Sequence, residues 1–488
     1  MIAIPNVALP ELEIALGLIG LTVLFIILFD ILEPKKQRIT GVIASVALLV
    51  GLFLTVERLI SIFYGTFTTE TVSLLVFDAY SYFFATVFLF VSFLVTLFSL
   101  KFMKEFERQG LYYALLLLST IGMTLVASTL DLIILVVGWE LASMSAYGLV
   151  AIKRDEAVSI EAALKYFITS VIGFGITLFG ISLLFGLTGS VNLQQIYLVT
   201  SNLSGSDMIL GYFAVALIIS GLGFKMAIVP FHAWIPDTYS GAPTPVTTFL
   251  AAASKKMGFA AVLRILIVAL MPFYDFWALL FAVLAIITMT YGNVVALTQK
   301  TMKRLMAYSS ISHAGYILIG ITAIVSLSAQ AGVLLHIVMH ALMKIVAFGS
   351  IMVVTYQLNT DKIDDYAGLR KRAPITSFLL TITLFSLMGI PPLGGFLSKY
   401  LLFLGAVEAG WAWLAIIGVI NSVISVFYYF NIIKKMYVDD PSEAVMASNK
   451  KEPLSYVVVL LIATILIVAF GLYPDPWIVL AEKVFVFP

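Results

Sequence analysis

The sequence predicts an all-α polytopic membrane protein of about 14 transmembrane helices, with two inverted five-helix repeats that each contain a broken helix. Three observations carry that prediction. Apolar runs of about 20 residues, the length that crosses a hydrocarbon core as a helix, recur along the whole 488-residue chain. The composition is 61% hydrophobic and 11% charged, with a mean hydropathy of +1.08. The runs are continuous and do not alternate apolar with polar, which excludes a β-barrel.

Spans are expected near 12–32, 40–62, 79–100, 111–129, 131–151, 160–187, 208–234, 243–268, 275–298, 305–326, 331–357, 374–404, 410–436 and 453–474. The opening MIAIPNVALPELEIALGLIG lacks a basic leader and a small-residue cleavage site, so it reads as the first span and not as a signal peptide. Connections are short, and no separate soluble domain is expected. The organisation divides into an N-terminal three-helix region (1–105), a first repeat (106–270), a second repeat (271–440) and a C-terminal helix (441–488).

Orientation follows from the loop cations. Loops after odd-numbered spans hold Lys35, Lys36 and Arg38, then Lys101, Lys104 and Arg108, then Lys153 and Arg154. Further along they hold Lys300, Lys303 and Arg304, Lys362, Arg370, Lys371 and Arg372, and Lys434, Lys435, Lys450 and Lys451. On the opposite side stands Arg58. The expectation is a multi-pass protein of a prokaryotic cell membrane with both termini outside.

Two spans read as broken. The seventh carries Pro230 shortly after Lys225, and the twelfth carries Gly389, Pro391, Pro392, Gly394 and Gly395 before Lys399. Proline removes a backbone donor from a helix, and carbonyls freed at membrane depth survive only where protein or water satisfies them. Matching interruptions five spans apart suggest the repeat, a recurring transporter design.

The chemistry lies in charges placed where a membrane protein disfavours them. Lys225, Lys255, Lys256, Lys344 and Lys399, together with Glu140, stand inside apolar runs, each at a cost of about 2.5–3.5 kcal/mol on insertion scales. Burial disfavours the charged form of a lysine, and a nearby carboxylate favours it. A Glu–Lys pair whose separation or hydration changes is therefore a proton switch, and Glu140 with Lys225 is the candidate pair. The bland alternative gives Glu140 a hydrogen bond to Ser143 or Ser145. Lys255 and Lys256 stand about 100° apart on one helix, so only one is expected to face the interior. Arg264, two turns on, is expected to snorkel to the surface.

His336, His340 and Lys344 recur at four-residue spacing, so they share a helix face and form a plausible relay. Packed histidines, or less readily a haem or metal, are the competing readings. His313, expected near the start of the tenth span, is a further relay candidate. The stretch from His232 through Trp234, Pro236, Pro243 and Pro245 reads as a stiff structural turn, with Asp237 bonding backbone and His232 a possible gate. Lys399 follows a break and reads as the outward terminal of the path.

The absence of cysteine excludes disulfides and thiolate-held clusters in this chain. A net charge of +1 gives no case for nucleic acid. A stand-alone solute transporter is disfavoured because the spans offer lysines but few other polar groups to recognise a solute. A scaffold with idle charges would have nothing to offset their insertion cost.

Over roughly residues 75–440 the chain resembles the antiporter-like subunits of complex I and its relatives. GWELASMSAYGLVA resembles the family's glutamate helix. GFKMAIVPFHAWIPDTYSGAPTPVTTFLAAASKKMGF resembles its broken lysine helix and the lysine helix that follows. LMAYSSISHAGY and MGIPPLGGFLSK resemble its histidine and second broken-helix motifs. SIEAALKYFITS, GLTGSVNL and LPELEIALGLIGL are similar to the subunit-N branch of NADH–quinone oxidoreductase and of the archaeal deazaflavin-dependent dehydrogenase. HIVMHALMKIVAF looks more like the other antiporter-type paralogues.

The resemblance implies fourteen helices in two inverted repeats, without the long lateral helix of the largest paralogue. It implies that Glu140 and Lys225 are coupled, that an eighth-span lysine is the central relay, and that Lys399 is the distal lysine. Spacing from Pro245 favours Lys255 on the subunit-N pattern and Lys256 on the antiporter pattern. It further implies a translocase subunit of an oxidoreductase, with no cofactor of its own and with flavin and iron–sulfur clusters in partner subunits. Other membrane-arm subunits and a peripheral redox arm are the expected partners. A subunit of a sodium/proton antiporter or an ion-pumping hydrogenase complex is the close alternative.

Overall fold

A computed structural model describes residues 10–33, 38–106 and 108–485, so Lys35, Lys36 and the first nine residues lie outside the described residues. The chain is helical almost throughout. Expected spans one to six coincide with α1 (Glu11–Leu32), α2 (Arg38–Phe63), α3 (Ala79–Phe102), α4 (Gln109–Ala127), α5 (Leu132–Val150) and α6 (Ala157–Thr188). A short antiparallel hairpin, Glu70–Val72 with Leu75–Phe77, links α2 to α3 and was not expected. Side-chain caps set several helix starts: Asp78 accepts from the Ser81 amide before α3, and Asp131 from the Ile133 and Ile134 amides before α5.

A short helix, α7 (Leu193–Thr200), precedes the expected seventh span. That span is α8 (Gly205–Met226), which ends at Ala227 in a left-handed conformation (φ 56°) and turns through Pro230 into α9 (Trp234–Gly241). The stretch expected to be a stiff turn is thus largely helical, and it passes through Pro243 directly into α10 (Thr244–Phe249). Pro245 sits in the first turn of α10, where the missing N–H costs nothing. The eighth span then contains a π turn, Leu250–Ser254, before α11 (Lys255–Ala269).

The second half follows with α12 (Tyr274–Ala296), α13 (Met302–Thr322) and α14 (Leu327–Leu358). α14 is the central helix, buried along almost its whole length. The twelfth span breaks where glycine and proline stand: α15 (Pro374–Met388) stops at Gly389 (φ 92°), and α16 (Gly394–Glu408) starts five residues later. α17 (Ala412–Tyr437), the short α18 (Glu443–Ala447), α19 (Leu454–Leu472) and a terminal helix, α20 (Asp475–Val484), complete the chain. Eleven of these helices are long and apolar enough to cross a membrane. The remaining three expected spans fall on α10–α11, α13 and α15–α16. Apolar residues such as Leu24, Phe53, Phe213 and Phe427 are exposed on outer helices. A bilayer would cover them.

Small residues let α6 and α8 approach closely. A Cβ built on Gly221 would lie 2.0 Å from Thr177 Oγ1 and 2.4 Å from the Gly173 carbonyl, and one on Gly180 would lie 2.9 Å from the Ala214 carbonyl. This is small-residue packing in which backbone meets backbone. Gly221→Ala should therefore destabilise the folded chain by about 1–3 kcal/mol through overpacking. A melting temperature in detergent equal to that of the wild type would contradict the tight crossing.

Candidate functional site

The five intramembrane lysines are all buried, none more than 3% exposed. Lys225, in the last turn of α8, donates to Ser143 Oγ (2.9 Å) and to Tyr166 OH (3.2 Å). Glu140 is half-buried one turn before Ser143 on α5, and it forms no salt bridge with Lys225 among the described residues. Ser143, the partner of Lys225, thus stands one turn from Glu140 on the same helix. Among the described residues Glu140 forms no hydrogen bond to Ser143 or Ser145; Ser143 accepts from Lys225, and Ser145 donates to the Leu141 carbonyl.

The expectation that only one of Lys255 and Lys256 faces the interior is corrected. Both point into protein, because every residue from Thr244 to Ile267 is buried and the helix has no outer face. Lys255 donates to the Ser310 carbonyl at 2.6 Å, and Lys256 bonds His340 Nδ1 and the Ala251 carbonyl at 2.9 Å. Across α14, the four-residue spacing does place three groups on one face. His336, His340 and Lys344 all meet partners on or beyond α13 and α16.

His313 lies in the middle of α13, not at its start, and is 1% exposed. Its Nδ1 bonds His336 Nε2 at 3.1 Å, and His336 Nδ1 meets Ser398 Oγ at 2.9 Å. On the other side, His313 Nε2 faces Tyr429 OH at 3.5 Å, Tyr429 bonds Ser309, and Ser309 accepts from Lys344 at 2.8 Å. Lys344, Ser309, Tyr429, His313, His336 and Ser398 thus form a continuous hydrogen-bonded line. Hydroxyls and imidazoles each donate at one point and accept at another, which is what proton hand-over requires. His340 joins only by ring contact, its centroid 5.0 Å from that of His313, and its Nε2 has no hydrogen-bond partner. His313 and His336 thus bond each other, His336 also meets Ser398, and His340 bonds Lys256.

Lys399 lies beside Ser398 in the second turn of α16. It donates to the Leu387 and Met388 carbonyls (2.9 and 3.2 Å) and to Ser422 Oγ (2.8 Å), and its ammonium lies 4.6 Å from the centre of the Tyr316 ring. It therefore satisfies carbonyls freed where α15 breaks, and a cation there also complements the helix C-terminus. At the first break Trp234 plays the corresponding part, its indole N–H donating to the Phe224 carbonyl at 2.9 Å.

Two further expectations are corrected. Arg264 does not snorkel. It is 4% exposed, and its two terminal nitrogens hold Asp78 at 2.6 and 3.0 Å, with further bonds to Ser81 and the Ala127 carbonyl. Asp237 is not spent on backbone but on Lys165 (2.8 Å) and Arg304 (3.1 Å). His232 is half-buried against the edge of Tyr291, with Nδ1 unpartnered. Nothing in the sequence marks Tyr166, Ser309, Ser310, Tyr429 or Ser422. A lone hydroxyl in an apolar helix carries no spacing signal, although Ser398 is marked by its neighbour Lys399.

Lys165 above all, and Arg304 with it, hold the Asp237 carboxyl below the usual carboxylate range. The stabilisation from a lowered carboxylate is present above its unfolded value of about 3.9 and is lost as pH falls through the folded value. Asp237→Asn should thus cost up to about 1 kcal/mol at neutral pH, the scale of exposed ion pairs. The deficit should vanish on acidification below that range. Melting curves of both proteins at neutral and acidic pH check this, and a deficit unchanged by pH would refute it.

Two interrupted helices flanking a buried line of lysine and histidine define the antiporter-like class of membrane subunits. The chain belongs to the NADH:quinone oxidoreductase/Mrp antiporter transmembrane family, whose model matches residues 127–425. It is 38% identical to F(420)H(2) dehydrogenase subunit N of Methanosarcina mazei over 96% of this chain and 97% of that one. It is 37% identical to NADH-quinone oxidoreductase subunit N of Trichlorobacter lovleyi over 93% and 92% of the two chains. Among solved structures it is similar to a chain of respiratory complex I from Thermus thermophilus, at 29% identity with a TM-score of 0.77 over 94% and 97% of the chains. A chain of the Mrp complex of Dietzia superposes with a TM-score of 0.87 over 98% and 97%, and at 20% identity that likeness shows the fold alone.

Proposed function

We propose that this chain is a proton-translocating membrane-arm subunit of a complex I-like respiratory oxidoreductase, driven by electron transfer in other subunits. The observation that carries the reading is the unbroken line from Lys344 to Ser398, ending beside Lys399. Glu140 and Lys225 act as the coupled loading pair, Lys256 and Lys255 as the central lysines, His340, His313 and His336 as the relay, and Lys399 as the distal terminal. Kinship with subunit N of two oxidoreductases supports placing it in such a complex. Its contribution to catalysis is translocation, and flavin and iron–sulfur centres belong to partner subunits. Residues 106–270 and 271–440 form the two inverted repeats, each with one interrupted helix. Both termini lie outside, an arrangement testable by labelling single cysteines introduced into this cysteine-free chain.

The deciding experiment is purification of the native complex in mild detergent with its subunits identified by mass spectrometry. Flavin and iron–sulfur subunits in the same particle are the expected result. Antiporter-type membrane partners alone would move the chain to a sodium/proton antiporter. Recovery of the chain by itself would overturn the reading in favour of a solute transporter.

A further inference from the structure

Two hollows on the flank built by α2, α3 and α20 take no part in the lysine–histidine line. The first, about 550 Å³, lies at the end of these helices and is lined by Ile62, Asp78, Tyr80, Arg264, Lys483 and Phe485, among others. The second, about 330 Å³, is bounded by Leu59, Phe83, Val87, Leu342, Trp477 and Leu480 and is apolar apart from Trp477 and Thr86. The Thr86 hydroxyl is spent on the Tyr82 carbonyl at 2.7 Å.

The two linings are one helical turn apart on all three helices: Leu59 to Ile62, Phe83 to Tyr80, and Leu480 to Lys483. Along α3 they run from Ala79 to Val91, about 18 Å at 1.5 Å per residue. Half of a bilayer's hydrocarbon core is about 15 Å thick. Taken together, a chamber bearing charged groups and the adjacent apolar slot extend over about the depth of one leaflet, the slot itself covering about 12 Å from Phe83 to Val91.

The chamber also has free donors. Lys483 has no ion-pair or hydrogen-bond partner among the described residues. Arg264 is 4% exposed, and although its terminal nitrogens are taken by Asp78, its Nε–H has no acceptor. Glu482 stands exposed on the same rim and offsets part of the charge, so a small anion finds little net attraction there. An anion carrying a hydrocarbon tail uses the chamber and the slot together.

We propose that these hollows form one site for a phospholipid. Its phosphate lies between Lys483 Nζ and Arg264 Nε, and one hydrocarbon chain fills the slot past Phe83, Val87 and Trp477. The bound lipid acts as a wedge that fixes α20 against α2 and α3.

The test uses the intact complex, purified in mild detergent and washed, with residual lipid counted by mass spectrometry. Lys483→Glu and Val87→Trp should each lower tightly held phospholipid by one molecule per complex. In delipidated complex, phosphatidylglycerol with brominated chains should quench Trp477, read as the difference from Trp477→Phe, and Lys483→Glu should weaken that quenching several-fold. An unchanged phospholipid count in Lys483→Glu, or loss of a quinone in place of a phospholipid, would overturn the assignment. Should Val87→Trp fail to assemble, Lys483→Glu at the half-exposed rim still decides. None of these readouts involves pumping, so this site and the proton path stand or fall separately.

Discussion

Lys225→Ala should reduce proton translocation through this chain by about a hundredfold, the lower range for losing a positioned proton-transfer group. Glu140→Gln should do the same under the role proposed for the pair, although the two side chains share no salt bridge among the described residues. Lys225→Arg separates charge from proton exchange, since a guanidinium does not release its proton. It should keep the complex assembled and still fail to pump. The assay is acidification of proteoliposomes holding the whole complex, with electron transfer followed in parallel. Normal pumping in both Lys225→Ala and Glu140→Gln would sink the role assigned to the pair.

The second large effect is on folding. Arg264→Met leaves Asp78 without its partner at a site where Ser81 and the Ala127 carbonyl are also arranged around the guanidinium. Removing one member of a buried pair costs about 3–5 kcal/mol, and the partial exposure of Asp78 places this case near the lower end. Assembled complex should fall sharply, whereas pumping per assembled complex should not. The double variant Arg264→Met with Asp78→Asn should recover most of the loss. If Arg264→Met assembles normally and pumps poorly, Arg264 belongs to the proton path instead.

The contrast between Lys225 and Arg264 shows what could be read from the chain. Lys225 and Lys399 announce themselves, because each stands beside prolines and glycines that break a helix, a purely local signal. The line of His336, His340 and Lys344 was equally legible, since four-residue spacing fixes a shared face whatever the helix packs against. Arg264 carries no such signal, because its partner lies 186 residues away and no local pattern names it. Lys256 meets His340 across 84 residues for the same reason. The hydroxyls that complete the line, Ser309 and Tyr429, are ordinary residues of apolar helices until α13 and α17 are brought together. Long-range pairing, not helix formation, was the missing information.

The π turn at Leu250–Ser254 went unforeseen because LAAAS contains no breaker. Such a turn carries one more residue than the α-helical turn it replaces, so it lengthens the chain without advancing the helix in proportion. Beyond it, a count from Pro245 measures contour and no longer measures angle. Two homologues could therefore number their central lysine one position apart and still present the ammonium at the same point in space. The choice between Lys255 and Lys256 is then a matter of phase, set by how many residues the turn absorbs, and an alignment that scores only positions is blind to it.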